Sequence, residues 1–434
     1  MSLRRNILSN AGATAIGSLI QLILVLLLAR WLDVGEFAVF ITATAVVGFG
    51  EMASDFGVRI WGTRQFSVKD SVSGILGPAL LSKTSTSLLL ILIILLLPFQ
   101  LLTTKQALLA GIIACTQPST DPLLWFMRGK ERLDIEAVIT LGWRTANALV
   151  LGATAWFDFG VTSLLAAWLA CNLVRVAIEW RVPLLGQLRL SPLFEGQHVR
   201  AQVVGVLRQS FPIGIAFLVM AIYQRLGILM LGEIAPPETV SHFGAAFTLV
   251  ASAGFVATSI TVSSFPRLAR AAEAGDWADV CAITNNKLKM VMAVFLPACL
   301  LGMFAAPWIV HLLYPAAYQD AAIAIVALLP GLYISSVNFA LKYLMNTLHN
   351  NWMDVISVLS GITVFVLILL LAGGDVLLLV AGAAWGIGEA VIFVVKWRVL
   401  RHNKKTRSIE LRLHLISYLF LLVVMLKVLG GMSD

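Results

Sequence analysis

The sequence predicts an all-α polytopic membrane protein of two six-helix bundles, twelve core transmembrane helices and a candidate extra helix at the C-terminus. Composition is the first ground: hydrophobic residues make up 59% of the chain and charged residues 12%, whereas a soluble domain carries about a quarter charged residues. Length is the second, because 434 residues leave room for about a dozen helices of the roughly 20 apolar residues that cross a bilayer core. The third is the regular alternation of apolar runs with short polar connections.

Taken in order, the chain starts with Met-Ser-Leu-Arg-Arg and enters an apolar run from about Ala11 to Ala29. That run exceeds a signal-peptide core and lacks a small-residue cleavage site, so it reads as an uncleaved first span. Further spans fall near 37–56, 75–99, 106–127, 135–157, 160–182, 208–231, 239–265, 289–313, 320–346, 353–372 and 376–398, with the extra candidate near 413–430. Proline interrupts several of them: Pro212, Pro297 and Pro330 beside Gly331 read either as hinges or as plain kinks. Trp31, Trp61, Trp125, Trp308 and Trp352 lie at span ends, where an interfacial aromatic belt explains them.

Lysine and arginine set the expected orientation. Alternate connections carry Arg4 and Arg5, then Arg59, Arg64 and Lys69, then Arg128, Lys130 and Arg132, then Arg181, Arg189, Arg200 and Arg208. Later come Arg267, Arg270, Lys287 and Lys289, and finally a dense run from Lys396 to Arg412. The opposite side holds only Arg30, Lys105 and Lys427. This asymmetry predicts a cytoplasmic N-terminus, and the net charge of +8 reflects the sorting of loops rather than nucleic-acid binding. The expected organisation is an N-terminal bundle over 1–183, a cytoplasmic linker over 184–207, a C-terminal bundle over 208–400, and a basic cytoplasmic segment with the candidate extra helix over 401–434. A second long connection, about 267–288, reads as a helix lying at the interface. Weak internal similarity relates Asp33 to Phe40 with Glu238 to Phe247, and Arg59 to Arg64 with Phe265 to Arg270. Two related bundles with substrate bound near mid-membrane are a common transporter plan.

Nothing in the chain points to catalysis. Walker, His-Glu-x-x-His, Gly-x-Ser-x-Gly and Cys-x-x-Cys patterns are missing, and the connections are too short for an enzymatic domain. Cys115, Cys171, Cys281 and Cys299 stand singly, and the histidines form no ligand pair. The expectation is therefore a protein that is no enzyme and that uses neither cofactor nor metal.

Charges at membrane depth carry the functional signal. Lys83, Arg144, Arg175, Arg225 and Lys342 interrupt apolar spans, at a cost of roughly 2.5–3.5 kcal/mol each on insertion scales. Arg225, mid-span, faces either a substrate or an intramembrane acid. Arg144 and Lys83 lie nearer span ends, where snorkelling competes. Arg175 has Glu179 one turn away on the same face, and Lys342 reads as a positive-inside anchor. The acids at depth are Glu51, Asp55, Asp121 and Glu389. Asp121 stands between Pro118 and Pro122, so it serves either a coupling-ion or proton site or a hydrogen-bonded break in the helix. Glu389 either takes a proton or pairs with a cation. Together these residues describe a hydrated, net-basic interior suited to an anionic passenger.

Several landmarks resemble a known family. Leu28 to Ala38 (Leu-Ala-Arg-Trp-Leu-Asp-Val-Gly-Glu-Phe-Ala) is similar to the first-loop signature of bacterial polysaccharide exporters, and Asp55-Phe56-Gly57-Val58-Arg59 with Arg64 resembles the end of their second helix. Tyr223-Gln-Arg225-Leu, Val240 to Ala246, Phe265-Pro266-Arg267 and Leu313-Tyr314-Pro315 with Tyr318 resemble later landmarks. The likeness spans most of residues 1–400. Asp33-Val34 departs from the family's Gly-Pro, and Gly227 from its aspartate. The resemblance implies the lipid-linked oligosaccharide flippase branch of the multidrug/oligosaccharidyl-lipid/polysaccharide exporter superfamily: two six-helix bundles around a central cavity, in a bacterial inner membrane. Its cargo would be a polyprenyl-pyrophosphate-linked sugar repeat for O-antigen, capsule or exopolysaccharide, handed on to polysaccharide polymerase machinery. Arg225, Arg144, Lys83 and Arg175 would contact the head group and Arg30 would aid release. Asp55, Asp121, Glu389 and Glu51 would be the cavity or coupling carboxylates, and membrane lipids the other partner. Two rivals stand beside it: a proton- or sodium-coupled multidrug exporter of the same superfamily, and a membrane enzyme such as a sugar-repeat polymerase.

Overall fold

A computed structural model describes residues 3–68, 74–117, 121–130, 132–179, 181, 199–348 and 350–433. Among these, α-helices and two short 3-10 turns are the only regular structure. The helices are α1 (Leu3–Trp31), α2 (Val34–Asp55), α3 (Val58–Val68), α4 (Leu76–Leu96), α5 (Thr104–Cys115), α6 (Pro122–Gly129), α7 (Leu133–Trp156) and α8 (Gly160–Glu179). They continue as α9 (Val199–Ile234), α10 (Pro237–Glu273), α11 (Trp277–Leu313), α12 (Ala321–Thr347), α13 (Asn351–Leu371), α14 (Leu377–His402) and α15 (Arg412–Ser433). Among the described residues, ten helices are long and apolar enough to cross a membrane. This is a multi-pass membrane protein.

Short polar side chains set the helix boundaries. The Asp33 carboxylate accepts from the Glu36 amide at 2.7 Å and opens α2. Thr103 and Gln106 form a reciprocal capping box at the start of α5. At the other end of α2, Phe56 takes a left-handed φ of 41° and Gly57 one of 79°. Gly57 is required there twice over, since a Cβ would also meet Ser210 O and Gly214 N at 2.9 Å. The Asp-Phe-Gly landmark is thus the corner across which α9 passes.

The chain divides into two compact units, 1–237 and 238–434. Helix α9, the seventh expected span, packs within the first unit, against α2, α3 and α4. There α2 is central, touching α4, α5, α8 and α9, while α1 lies along α7 and α3 pairs with α6. Trp125 and Phe126 of α6 and Phe66 of α3 form a closed core, with Phe66 edge-on to Phe126. In the second unit α12 is the core helix, in contact with α11, α13, α14 and α15. The expected extra helix exists as α15. It buries His414, Ser417, Tyr418, Leu421 and Met425 and exposes Leu413, Ile416, Leu419, Phe420 and Val423, a helical stripe whose outer face is as apolar as lipid requires.

Four expectations need correction. The span near 106–127 is two helices, α5 ending at Cys115 and α6 starting at Pro122. The stretch from Arg59 to Lys69 is not a loop, because α3 occupies Val58–Val68. The interface helix near 267–288 is absent: α10 runs on to Glu273, the chain turns through Gly275 at φ 74°, and Asp276 caps α11 from the Asp279 amide. Trp125 is not in the aromatic belt but fully buried, because Gly62 leaves room for its ring. Most of the connection 184–207 lies outside the described residues, and its last part belongs to α9.

Gly57→Ala should destabilise the detergent-solubilised protein by roughly 1–3 kcal/mol, seen as a lower midpoint of thermal unfolding. Gly205→Ala, whose Cβ would meet nothing within 4 Å, should leave the midpoint unchanged.

Candidate functional site

The most elaborate polar structure sits where the fourth span breaks. A break in a membrane helix frees carbonyls that hydrocarbon cannot satisfy, and α8 supplies the donors through Asn172 and Arg175, with the Glu179 carboxylate accepting from Arg175 on the same edge. Arg175 Nη2 donates to Thr116 O at 2.7 Å. Its Nη1 meets Glu179 Oε1 at 2.6 Å and Asp121 Oδ2 at 3.1 Å. Asn172 Nδ2 donates to Thr116 Oγ1 at 3.0 Å and accepts on Oδ1 from Trp143 Nε1 at 3.0 Å. Arg175, Asp121 and Glu179 are 4%, 5% and 0% exposed, so this is a clamp sealed inside the unit. Arg175 was expected to face substrate as one alternative; the structure gives it the other, a partnership with Glu179, and adds Asp121. Lys83 on α4 acts electrostatically on Asp121, Asp55, Arg175 and Cys115. Asp55 belongs to Arg59, which it reaches at 3.8 Å and whose amide it accepts at 3.1 Å.

A second group lies on α1, α2, α7 and α9. Arg225 of α9 lies across Gly48 of α2, where a Cβ would run into its guanidinium. Arg144 of α7 lies across Gly17 of α1, where a Cβ would come 2.6 Å from Arg144 Cδ. Glu51, one turn beyond Gly48, acts electrostatically on both arginines. Both side chains are half-buried. Two guanidinium groups thus lie within the field of one carboxylate, and each passes over a glycine where a Cβ would meet it. The Gly17 and Gly48 seats were not singled out from sequence, since a glycine's role depends on what crosses it.

The remaining residues are elsewhere. Arg30 is exposed near the end of α1. In the second unit Asn338 Nδ2 donates to Glu389 Oε2 at 2.6 Å and to Glu389 O at 2.8 Å, so the predicted carboxylate is held by an amide. Lys396 and Asp354 form an ion pair at 2.7 Å, both shielded from solvent, and Lys342 lies within their field. Lys396 was expected to open the dense basic run on the cytoplasmic side; it is 2% exposed. A cavity of about 570 Å³ opens at the starts of α2, α5 and α8, lined by Asp33, Glu36, Gln106 and Thr162 among others. None of the predicted site residues lines it.

The fold is one also seen in solved transporters of the MOP superfamily. The lipid II flippase MurJ in an inward closed conformation superposes with a TM-score of 0.67 at 14% identity, over 98% of each chain. An inward-facing multidrug resistance MATE transporter of that superfamily gives 0.62 at 12% identity, over 95% of this chain and 96% of that one. The MATE transporter VcmN of Vibrio cholerae gives 0.55 at 14% identity, over 94% and 99%. In sequence, the family described as polysaccharide biosynthesis protein matches residues 3–272. The chain belongs to that family. No curated protein matches it in sequence.

Arg175→Leu should cost roughly 3–5 kcal/mol, the penalty for leaving buried charge unpaired. The check is the yield of monodisperse protein on size exclusion, which adding Glu179→Gln should partly restore.

Proposed function

We propose that this protein is a flippase of the bacterial plasma membrane, with its N-terminus in the cytoplasm. Its cargo is an undecaprenyl-pyrophosphate-linked oligosaccharide repeat for surface polysaccharide (O-antigen, capsule or exopolysaccharide), moved by alternating access. The observation that carries this reading is the pair Arg225 and Arg144 on their glycine seats with Glu51 between their fields.

A pyrophosphate concentrates negative charge that bare hydrocarbon rejects, and arginine's planar fork matches phosphate oxygens with two parallel hydrogen bonds. Two arginines against one glutamate leave an excess positive charge to receive it. Glu51 holds the guanidinium groups when no cargo is present, and the head group displaces it. Lys83, set among Asp55 and Asp121, extends the basic path, and Arg30 at the far end of α1 assists release. Asp55 and Glu389 are held by Arg59 and Asn338, which suits them to tune the interior rather than to touch cargo. A polymerase would take the repeat unit on the far side.

The second reading is a multidrug exporter, which the MATE-like fold favours. Cationic drugs call for a surplus of acid, the reverse of the Arg144–Glu51–Arg225 group. Dye efflux from cells overexpressing the protein would support that rival. A polymerase reading has no observation in its favour.

Arg225→Ala should abolish surface polysaccharide without reducing membrane-inserted protein, measured by gel staining of polysaccharide beside an immunoblot. Arg225→Lys should keep part of the activity, since charge survives while the two-pronged geometry is lost. Gly48→Val should match Arg225→Ala by pushing the guanidinium from its seat. Normal polysaccharide in both Arg225→Ala and Gly48→Val would remove Arg225 from the head-group path.

A further inference from the structure

The connection between α14 and α15, residues 403–411, joins two helices that are each long and apolar enough to cross a membrane, so it lies at a membrane face. Basic residues placed there only to orient the chain need no fixed geometry. This connection has one. Lys405 N donates to Asn403 Oδ1 at 3.0 Å, Thr406 N to Asn403 O at 3.1 Å and Ile409 N to Thr406 O at 3.2 Å. Thr406 Oγ1 donates to Leu400 O at 2.8 Å, and Thr406, Ile409 and Leu411 are buried. Helix α11 holds the other edge. Asn285 Nδ2 donates to Ser408 O at 3.3 Å, Asn285 Oδ1 accepts from Glu410 N at 3.0 Å, and Cys281 Sγ donates to Lys405 O at 3.3 Å. The Lys405 ammonium lies 4.2 Å from the centre of the Trp277 ring.

The charges left over have one sign. Arg401, Lys404, Arg407 and Arg412 are exposed, and none forms an ion pair among the described residues. Glu410, the one acid of the connection, turns instead to Lys289 of α11 at 3.7 Å. Arg412 opens α15, whose first turn has no acid, although the dipole there favours negative charge. Next to Arg412, the exposed residues Leu413, Ile416 and Phe420 recur at helical spacing and give α15 an apolar outer face. We propose that residues 401–412 are a preorganised site for the headgroup of an anionic phospholipid, its phosphate on Lys404, Arg407 and Arg412 and its acyl chains along α15. A soluble anion would meet the same cations, but it has no use for the apolar stripe beside them. The lipid bridges the last turn of α14 and the first of α15. This site goes beyond the flippase reading and does not rest on it.

Native mass spectrometry of the detergent-purified full chain, titrated with phosphatidylglycerol and separately with phosphatidylcholine, tests this without cargo. One phosphatidylglycerol should stay bound under conditions that strip phosphatidylcholine. Lys404→Gln with Arg407→Gln should weaken its binding roughly 25-fold, about fivefold for each cation near a membrane surface. Arg200→Gln with Arg208→Gln, at two exposed arginines of α9, removes the same charge and should leave binding unchanged. Asn285→Ala keeps every charge but frees the connection from α11, and should weaken binding severalfold. Thr406→Val takes its place if that variant is not monodisperse. Equal loss in the two double variants, or full retention in the charge-preserving one, would reduce the feature to diffuse basic charge and overturn the proposal. Equal retention of phosphatidylcholine would overturn it too, as would displacement of the lipid by inorganic phosphate, the mark of a soluble-anion site. Negative results here beside an inactive Arg225→Ala would sink the lipid site and leave the flippase reading standing; the reverse pattern would do the opposite.

Discussion

The constraint on which this fold turns is that a polypeptide inside a bilayer has no water to complete its hydrogen bonds. Interrupting a spanning helix therefore requires a neighbour that replaces the solvent. Here α8 does so with an amide and a guanidinium that reach Thr116 at the end of α5, and with a carboxyl one turn on that pairs with the guanidinium. The arginine alone would be a buried charge of several kcal/mol. With Asp121, Glu179 and the Thr116 carbonyl around it, the break becomes a fixed feature. Helix α2 lies against α5 and α8 together, so the clamp also positions the helix that bears Gly48, Glu51 and Asp55.

The charges at membrane depth then fall into two kinds. Arg175, Asp121 and Glu179, like Lys396 with Asp354 and Asn338 with Glu389, are paired with one another and almost fully buried. They hold helices together. Arg144 and Arg225 are different: each is half-buried, each lies over a glycine, and the field of a single carboxylate reaches both. A cation held this loosely keeps donors available to an incoming anion, which a sealed ion pair cannot offer. Burial alone would have ranked Arg175 above Arg225 as a site; the availability of donors reverses that order.

Much of this was legible in the sequence because the bilayer imposes strong one-dimensional rules. Hydropathy located the spans, proline on both sides of Asp121 marked the broken helix, and the spacing of four residues joined Arg175 to Glu179. What escaped was long-range. Nothing in the local sequence ties Asp121 to Arg175, 54 residues away, or Lys396 to Asp354 on another helix, so the basic run from Lys396 to Arg412 was read as one group although its first member is buried. The interface helix was misread because the amphipathic pattern after Phe265 suits a helix on a membrane surface and a helix projecting beyond it equally well. Gly275 and Asp276 were the local signs that the chain turns and starts α11 instead.

Glycine offers the last step. In a soluble helix it costs about 1 kcal/mol relative to alanine, and a membrane helix has no shortage of apolar alternatives. A Cβ at Gly17 or Gly48 would meet an arginine from another helix. Each glycine and its arginine therefore form one device: the missing side chain on α1 or α2 lets a long cation on α7 or α9 lie flat against a backbone. That geometry limits the rotamers open to the guanidinium and so lowers the entropy it loses when it captures an anion. A cation positioned in this way binds by geometry as well as by charge, which is what separates a phosphate path from a merely basic interior.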